Sequence, residues 1–322
     1  MELTPDFSIS INGSSTFPKD RVIAIRTMDE TGIVSDSCEI ELDDFDRALQ
    51  FPNTEAKISV SLGYKETGLT QIGTYFVKEI SIDGARHTIK ISANAASKSM
   101  RSQNSKTNSG GLKNLVNEMS SNFNLEPAFD DSLEEIDLEN HPQFAESDMS
   151  YLTRLAHTRS AVTKPVNGHL VFANAANGKS ATGLQLPVKY IDAADVSNYS
   201  CSFKETESDG GTGSVSANWY DAKKAQYITV TVGNGEPVTQ LKECFSSENE
   251  AMSAANAALK RISKSNVTFS FSIAGRSDLF AENPIVLRGF DKKIPTKWII
   301  NRVEHSLSSS GFVTSVDCCC IS

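Results

Sequence analysis

The chain has 322 residues, 39% of them apolar and 22% charged, a balance that excludes a disordered or fibrous main state and suits about two core-forming domains. No apolar run approaches the roughly 18 to 20 residues of a membrane span, and the N-terminus MELTPDFSISING lacks the basic and apolar regions of a signal peptide, so folding in a cytoplasm without a membrane partner is expected. The 31 Lys and Arg against 40 Asp and Glu leave a net charge of −9 with no basic cluster, which argues against specific nucleic-acid binding.

The first hundred residues read as short strands. One face is apolar in FSISI (Phe7, Ile9, Ile11), in SCEIELDD (Cys38, Ile40, Leu42) and in KISVSLGY (Ile58, Val60, Leu62), as a half-buried antiparallel sheet requires. Tyr75 and Val77, then Ile89, Ile91 and Ala93, form the arms of a hairpin turning near Asp83-Gly84. Arg101 to Gly111, rich in Ser, Asn and Gly, reads as a linker.

The period then changes. Leu112, Leu115, Val116, Met119 and Phe123 stand at helical spacing. A second helix is expected from about Ser147 to Thr158, with Ser147 as cap, Asp148 in the first turn, and Met149, Leu152 and Ala156 on one face. A short strand, His169 to Phe172, follows. From about Ser197 the two-residue period returns in Val215, Ala217, Trp219; Ile228, Val230, Val232; Val267, Phe269, Phe271, Ile273; then IVLRGF and WIINRV. One more helix, Ser247 to Ile262, opens on a capping box of Ser247 with Glu250.

This order contains a repeat. An apolar strand ending in Gly-aromatic (Gly63-Tyr64, Gly289-Phe290) is followed in both places by a long hairpin with a Gly-marked tip (Gly84, Gly311). The expected fold is therefore mainly β with an α insert (α+β), with two similar antiparallel β-barrels and a small helical module. The expected domains are residues 1–100, a first barrel; 101–196, a linker and small α/β insert; and 197–322, a second barrel with one inserted helix.

Several patterns invite chemistry and fall short of it. Ala173 to Ser180 resembles a phosphate loop, but its first glycine is replaced by Ala173 and no helix follows. The ending CCIS fits a prenylation box without a polybasic segment. Cys318, Cys319 and Cys320 could ligate a metal or iron-sulfur cluster only where several chains meet, because adjacent strand residues cannot face one ion; the simpler reading is reduced thiols at a frayed terminus. With no CxxC pair, the six cysteines do not form a disulfide framework. His87, His141, His157, His169 and His305 lie in different segments without an HExxH pair and read as surface or hydrogen-bonded structural residues. The acidic run Asp130 to Glu139 reads as a solvated face in a polar loop rather than as paired glycosidase carboxylates, and GxSxG is missing. No catalysis and no cofactor are expected.

One segment is more specific. Gln143 to Ala173, QFAESDMSYLTRLAHTRSAVTKPVNGHLVFA, is similar to the Q-x-x-E-S-D-x-x-[FY]-L-x-R-L-A segment and G-x-L-x-F strand of the phage late control D family of tail hub proteins, and Asp29 to Asp44, KISVSLGY with GTYFV, and Trp298 to Val316 fall in the order that family shows. The terminal cysteine run departs from the pattern.

The resemblance implies a structural baseplate hub, with tube-like barrels, of a contractile phage tail or a pyocin-like particle, located in the virion tail baseplate. It implies a homotrimer with the tail tube protein ring on one side and the central spike protein on the other, and contacts to the tape measure protein and baseplate wedge. Three chains with two barrels each would match a six-fold tube to a three-fold spike. Gln143, Glu146, Ser147, Asp148 and Leu152 are then structural residues, and Cys38 to Asp44 and Val267 to Ile273 are candidate intersubunit surfaces. Part of the negative charge would face the lumen and let DNA pass without sticking. The alternatives are the hub part of a type VI secretion-like spike protein and, from another class, a tail-associated cell-wall hydrolase.

Overall fold

The computed structural model describes residues 3–14, 18–32, 34–133, 137–175, 178–180, 184–203, 213–221, 224–265 and 267–320. The first segment holds six strands: β1 (Pro5–Ile11), β2 (Val22–Glu30), β3 (Ser37–Asp43), β4 (Lys57–Tyr64), β5 (Gly68–Asp83) and β6 (Thr88–Asn94). The apolar alternation of FSISI, SCEIELDD and KISVSLGY becomes β1, β3 and β4, and the long hairpin is β5 with β6.

Next come a short helix α1 (Lys98–Arg101), then β7 (Gln103–Gly111), α2 (Leu112–Asn122), β8 (Glu126–Phe129), β9 (Asp137–Ser147), α3 (Asp148–His157), β10 (Ala161–Val166) and β11 (His169–Asn174). The expected linker is thus strand β7, paired antiparallel with β9. Most of β7 is exposed, so its backbone ladder holds it without any apolar alternation in the sequence. The acidic run likewise leaves loop structure at Asp137, where β9 begins, while residues 134–136 lie outside the described residues. Both expected helices form, and the Ser147 hydroxyl caps α3 by accepting from the Ser150 N–H at 3.1 Å.

The remainder is β12 (Lys189–Asp192), β13 (Val196–Phe203), β14 (Ser214–Asp221), β15 (Gln226–Val232), β16 (Val238–Phe245), α4 (Glu248–Ser265), β17 (Val267–Ala274), β18 (Pro284–Arg288), β19 (Lys297–Ser308) and β20 (Gly311–Cys320). The capping box at α4 is displaced by one residue. Ser247 Oγ accepts from the Glu250 N–H at 3.3 Å, but Glu250 accepts in return from the Ser246 N–H at 3.1 Å.

Twelve strands form one sheet in the order β1-β4-β5-β6-β3-β2-β19-β20-β17-β13, extended by β18 on β19 and β12 on β18. The path β12-β18-β19-β20-β17-β13 repeats, in chain order, the permutation of β1-β4-β5-β6-β3-β2. The outermost strands differ in direction: β1 runs antiparallel to β4, whereas β12 runs parallel to β18.

The expectation of two closed barrels is corrected here. Among the described residues no pairing joins the margins of either half, and β2, whose outer edge would have to meet β1 to close the first half, instead pairs with β19. The strands β14 to β16, expected in the second barrel, form a separate three-stranded sheet under α4. Alternation identifies a half-buried strand but not its sheet.

Four apolar cores follow. Ile25, Ile40, Ile58, Val60, Val77 and Ile91 fill the first half, and Leu307 and Phe312 enter it from across the β2–β19 seam. Phe269, Phe271, Trp298, Ile300 and Cys318 fill the second half. Leu112, Val116, Met119, Tyr151, Leu152 and Phe172 pack the helical module, and the alanines of α4 lie on Val215 and Ala217. Each fully buried large aliphatic side chain contributes about 1.5–3 kcal/mol.

Candidate assembly surface

The residues singled out at the ESD segment converge. Gln143 is buried, and its Nε2 donates to Asp148 Oδ1 at 2.8 Å and to the Glu146 carbonyl at 3.1 Å. Asn104 of β7 donates to the same Asp148 oxygen at 3.0 Å, so one carboxylate ties β7, β9 and the first turn of α3 together. An acidic group at a helix N-terminus is also favoured by the exposed amides there. Glu146 pairs with Arg154 one turn and a half into α3 at 2.6 Å, and Leu152 is wholly buried in the module core. The polar side chains of this segment thus bond to one another and to β7.

Two further clasps escaped the sequence. Lys164 of β10 reaches the large sheet, where its ammonium donates to Asp29 Oδ1, to the Glu30 carbonyl at 2.7 Å and to Asp36 Oδ1 at 3.3 Å. All three side chains are nearly inaccessible. Although burial alone would lower it, Asp29 and Asp36 hold the Lys164 ammonium above its ordinary value, and burial pushes the Asp36 carboxyl up to about 7. Gly32 lets the backbones meet: a Cβ there would stand 3.0 Å from the Thr163 carbonyl oxygen. A lysine between Thr163 and Pro165 in a short strand carries no sequence signal for such a role.

The second clasp is Glu250 of α4, which meets His141 of β9 at 3.4 Å and Arg159 at 3.6 Å. The hydrogen bond from His141, outweighing burial and helped by Ser246, holds the Glu250 carboxyl down to about 2. Arg261 Nη1 adds a bond to the His157 carbonyl at 2.7 Å. The α4 unit is thereby locked to the helical module.

The other candidates are placed as follows. Cys318, Cys319 and Cys320 are not at a frayed end: they belong to β20, where Cys318 and Cys319 are paired on both sides, by β19 and β17, and Cys320 by β19. Cys318 and Cys319 are buried, and burial pushes the Cys318 thiol well above its ordinary value. Among the described residues no three His, Cys, Asp or Glu side chains gather as a metal ion would need. Part of the phosphate-loop look-alike, residues 176 and 177, lies outside the described residues.

The segments Cys38 to Asp44 and Val267 to Ile273 do not offer free edges, because β3 lies between β2 and β6 and β17 between β20 and β13. Among the described residues, the free edges of the large sheet instead belong to β1, β12, β13 and the far half of β5. Exposed large apolar side chains stand on three of them: Tyr190 on β12, Tyr199 and Phe203 on β13, and Ile82 on β5. Edges carrying such side chains invite strand pairing with another chain.

Comparisons with known proteins agree with these observations. The family model described as phage tail baseplate hub (GPD) matches residues 112–311. The chain is 27% identical to the probable baseplate hub protein of Escherichia phage 186, over 98% of this chain and 92% of that protein. Its fold is similar to the tail protein from Neisseria meningitidis MC58 (TM-score 0.71, 10% identity, 98% of this chain and 96% of that one). It is also similar to the 43 kDa tail protein of prophage MuSo2 from Shewanella oneidensis (TM-score 0.67, 12% identity, 98% of both chains).

Proposed function

Because this chain belongs to the phage tail baseplate hub (GPD) family and is a structural protein of the virion tail baseplate, we propose that it acts as a trimeric adaptor between the six-fold tail tube and the three-fold central spike. The observation that carries this reading is the strand order found twice in one sheet. Three copies would present six similar units, so one interface chemistry on the tube ring is met six times although only three chains are present.

On this reading β1–β6 and the set β12, β13 and β17–β20 supply the two ring-forming units, and the helical module within residues 101–188, with the β14–β16 sheet and α4, braces them, with Gln143, Glu146, Ser147, Asp148 and Leu152 as bracing residues. The tape measure protein and the baseplate wedge are further neighbours. The work is done by binding energy, without a catalytic step or a cofactor, so a peptidoglycan zymogram stays uncleared. The direct test is the mass of the purified full chain, alone and mixed with the tail tube protein of the same particle. A trimer that comigrates with the tube protein is expected; a monomer that ignores it would refute the adaptor.

A further inference from the structure

Apart from their outermost strands β1 and β12, the two halves of the large sheet correspond in register, and one half has a neighbour where the other has none among the described residues. Glu55 and Glu282 both adopt left-handed backbone, with φ of 68° and 69°. Each donates its N–H to the strand beside it, Glu55 to the Val77 carbonyl and Glu282 to the Ile300 carbonyl, both at 2.8 Å. Immediately afterwards both ladders slip, between Val77 and Glu79 against β6 and between Ile300 and Arg302 against β20. The strands β2 and β13 each follow a single turn of 3-10 helix and each bulge near their start, at Val22/Ala24 and Val196/Asn198.

These marks align Val77 with Ile300, so Ile80 corresponds to Val303 and Ile82 to His305. Through the ladders they also align Thr27 with Cys201, Ile25 with Tyr199, and Asp29 with Phe203.

Beyond Ile300, the edge of β19 that faces away from β20 is covered by β2, in the register Arg302↔Glu30 to Ser308↔Ala24. Among the described residues no strand lies on the corresponding edge of β5, residues 79–83, and none lies on the far edge of β13, the counterpart of β2. Exposure follows the missing neighbour. Val303, His305 and Ile25 are 0% exposed, whereas Ile82 and Tyr199 are 62% and 49% exposed; Asp29 is 8% exposed and Phe203 58%.

We propose that the covering partner is a second copy of this chain. β13 of one copy adds antiparallel to residues 79–83 of β5 in the next, in the register that β2 uses on β19. Phe203 then stands opposite Ile80, Ser202 opposite Ser81, Cys201 opposite Ile82, and Ser200 opposite Asp83. The ladder supplies affinity through main-chain hydrogen bonds, and the register is set by burying Ile82, Tyr199 and Phe203 together. Each chain carries one edge of each kind, so the contact is head-to-tail, the kind that forms a ring when the rotation between copies closes. The closure at three copies rests on the adaptor reading above. Seams within chains and seams between chains then alternate around one continuous sheet.

The experiment places charges at the opposed serines of the full chain. Ser81 and Ser202 are exposed, and folding of each variant is verified by circular dichroism and thermal melting. The pair Ser81→Lys with Ser202→Lys should weaken association at least tenfold and leave monomers by light scattering, while Ser81→Glu with Ser202→Lys should restore the trimer mass. Moving the second lysine to Ser200 while keeping Ser81→Lys should weaken association less, because Ser200 faces Asp83 in this register and the two charges attract. A lysine pair that leaves the trimer intact, or weakening that is equal at both positions, would overturn the strand pairing and spare the adaptor. A wild-type chain that is monomeric with and without its tube protein would overturn both.

Discussion

Replacing Lys164 by methionine would test how the helical module is held on the large sheet. The substitution keeps the length of the side chain and removes its charge, leaving Asp29 and Asp36 buried without a cation and the Glu30 carbonyl without its donor. The side chains of Lys164, Asp29 and Asp36 are 14%, 11% and 8% exposed, so solvent can replace little of what is lost. Breaking such a buried pair from one side costs about 3–5 kcal/mol, because the desolvated partner charge remains. That corresponds to a fall in melting temperature on the order of 10 °C.

The cost should also depend on pH. Burial raises the folded Asp36 carboxyl from an ordinary 3.8 to about 7, so between these values the folded chain binds the proton that the unfolded chain has released. The stability this group contributes is present below its ordinary value and is lost as pH rises through about 7. Without the ammonium the carboxyl moves further up, so the penalty of Lys164→Met should be larger at pH 8 than at pH 5. Urea unfolding followed by tryptophan fluorescence and circular dichroism at both pH values measures it. Adding Asp36→Asn should recover at least about 1 kcal/mol at pH 8. A loss under about 1 kcal/mol, or one equal at the two pH values, would refute the electrostatic account.

Other consequences are open to direct measurement. His305 is buried at the seam, where Nε2 meets the Leu279 carbonyl at 3.3 Å and Nδ1 the Thr314 hydroxyl at 3.0 Å, and burial lowers its folded value from 6.5 to about 4. The unfolded imidazole takes a proton first, so its contribution to stability is full above about pH 6.5 and falls, by up to about 3 kcal/mol, toward pH 4; His305→Gln should lose this contribution and keep the opposite slope that Asp36 supplies across the same window, read from urea midpoints. Glu250→Gln should abolish a separate loss in wild type, between the ordinary 4.5 and about 2, and loosen α4 from β9, read by hydrogen exchange in α4. Leu152→Ala, in the module core, should cost about 2–5 kcal/mol in the same unfolding assay. Gly275→Ala would set a Cβ 1.9 Å from the Phe312 ring, forcing that ring from the seam; poor soluble yield or a lower melting temperature is expected, and a normal melt would contradict the packing described.

What could be read along the chain was whatever depends on near neighbours. Alternation at Cys38, Ile40 and Leu42 marks β3 because one face of that strand is buried, and Leu112, Val116 and Met119 mark α2 because one helical stripe is buried. Ser147 and Asp148 announce the start of α3 because caps act within one turn. The Q-x-x-E-S-D spacing pointed to the right family, and its residues do come together, although their hydrogen bonds to Asn104 of β7 were out of reach of a reading that took residues 101–111 for a linker.

Pairing across distance is another matter, since side-chain period fixes which face of a strand is buried but is silent on its neighbour. Nothing local says that β2 lies on β19, so the two units fuse into one sheet where closed barrels were expected. The same blindness hid Lys164 between Asp29 and Asp36, residues that are distant in the chain and ordinary in their own segments. It also hid the exposed edges of β5 and β13, which can be recognised as unfinished only once their covered counterparts, β19 and β2, are seen in place.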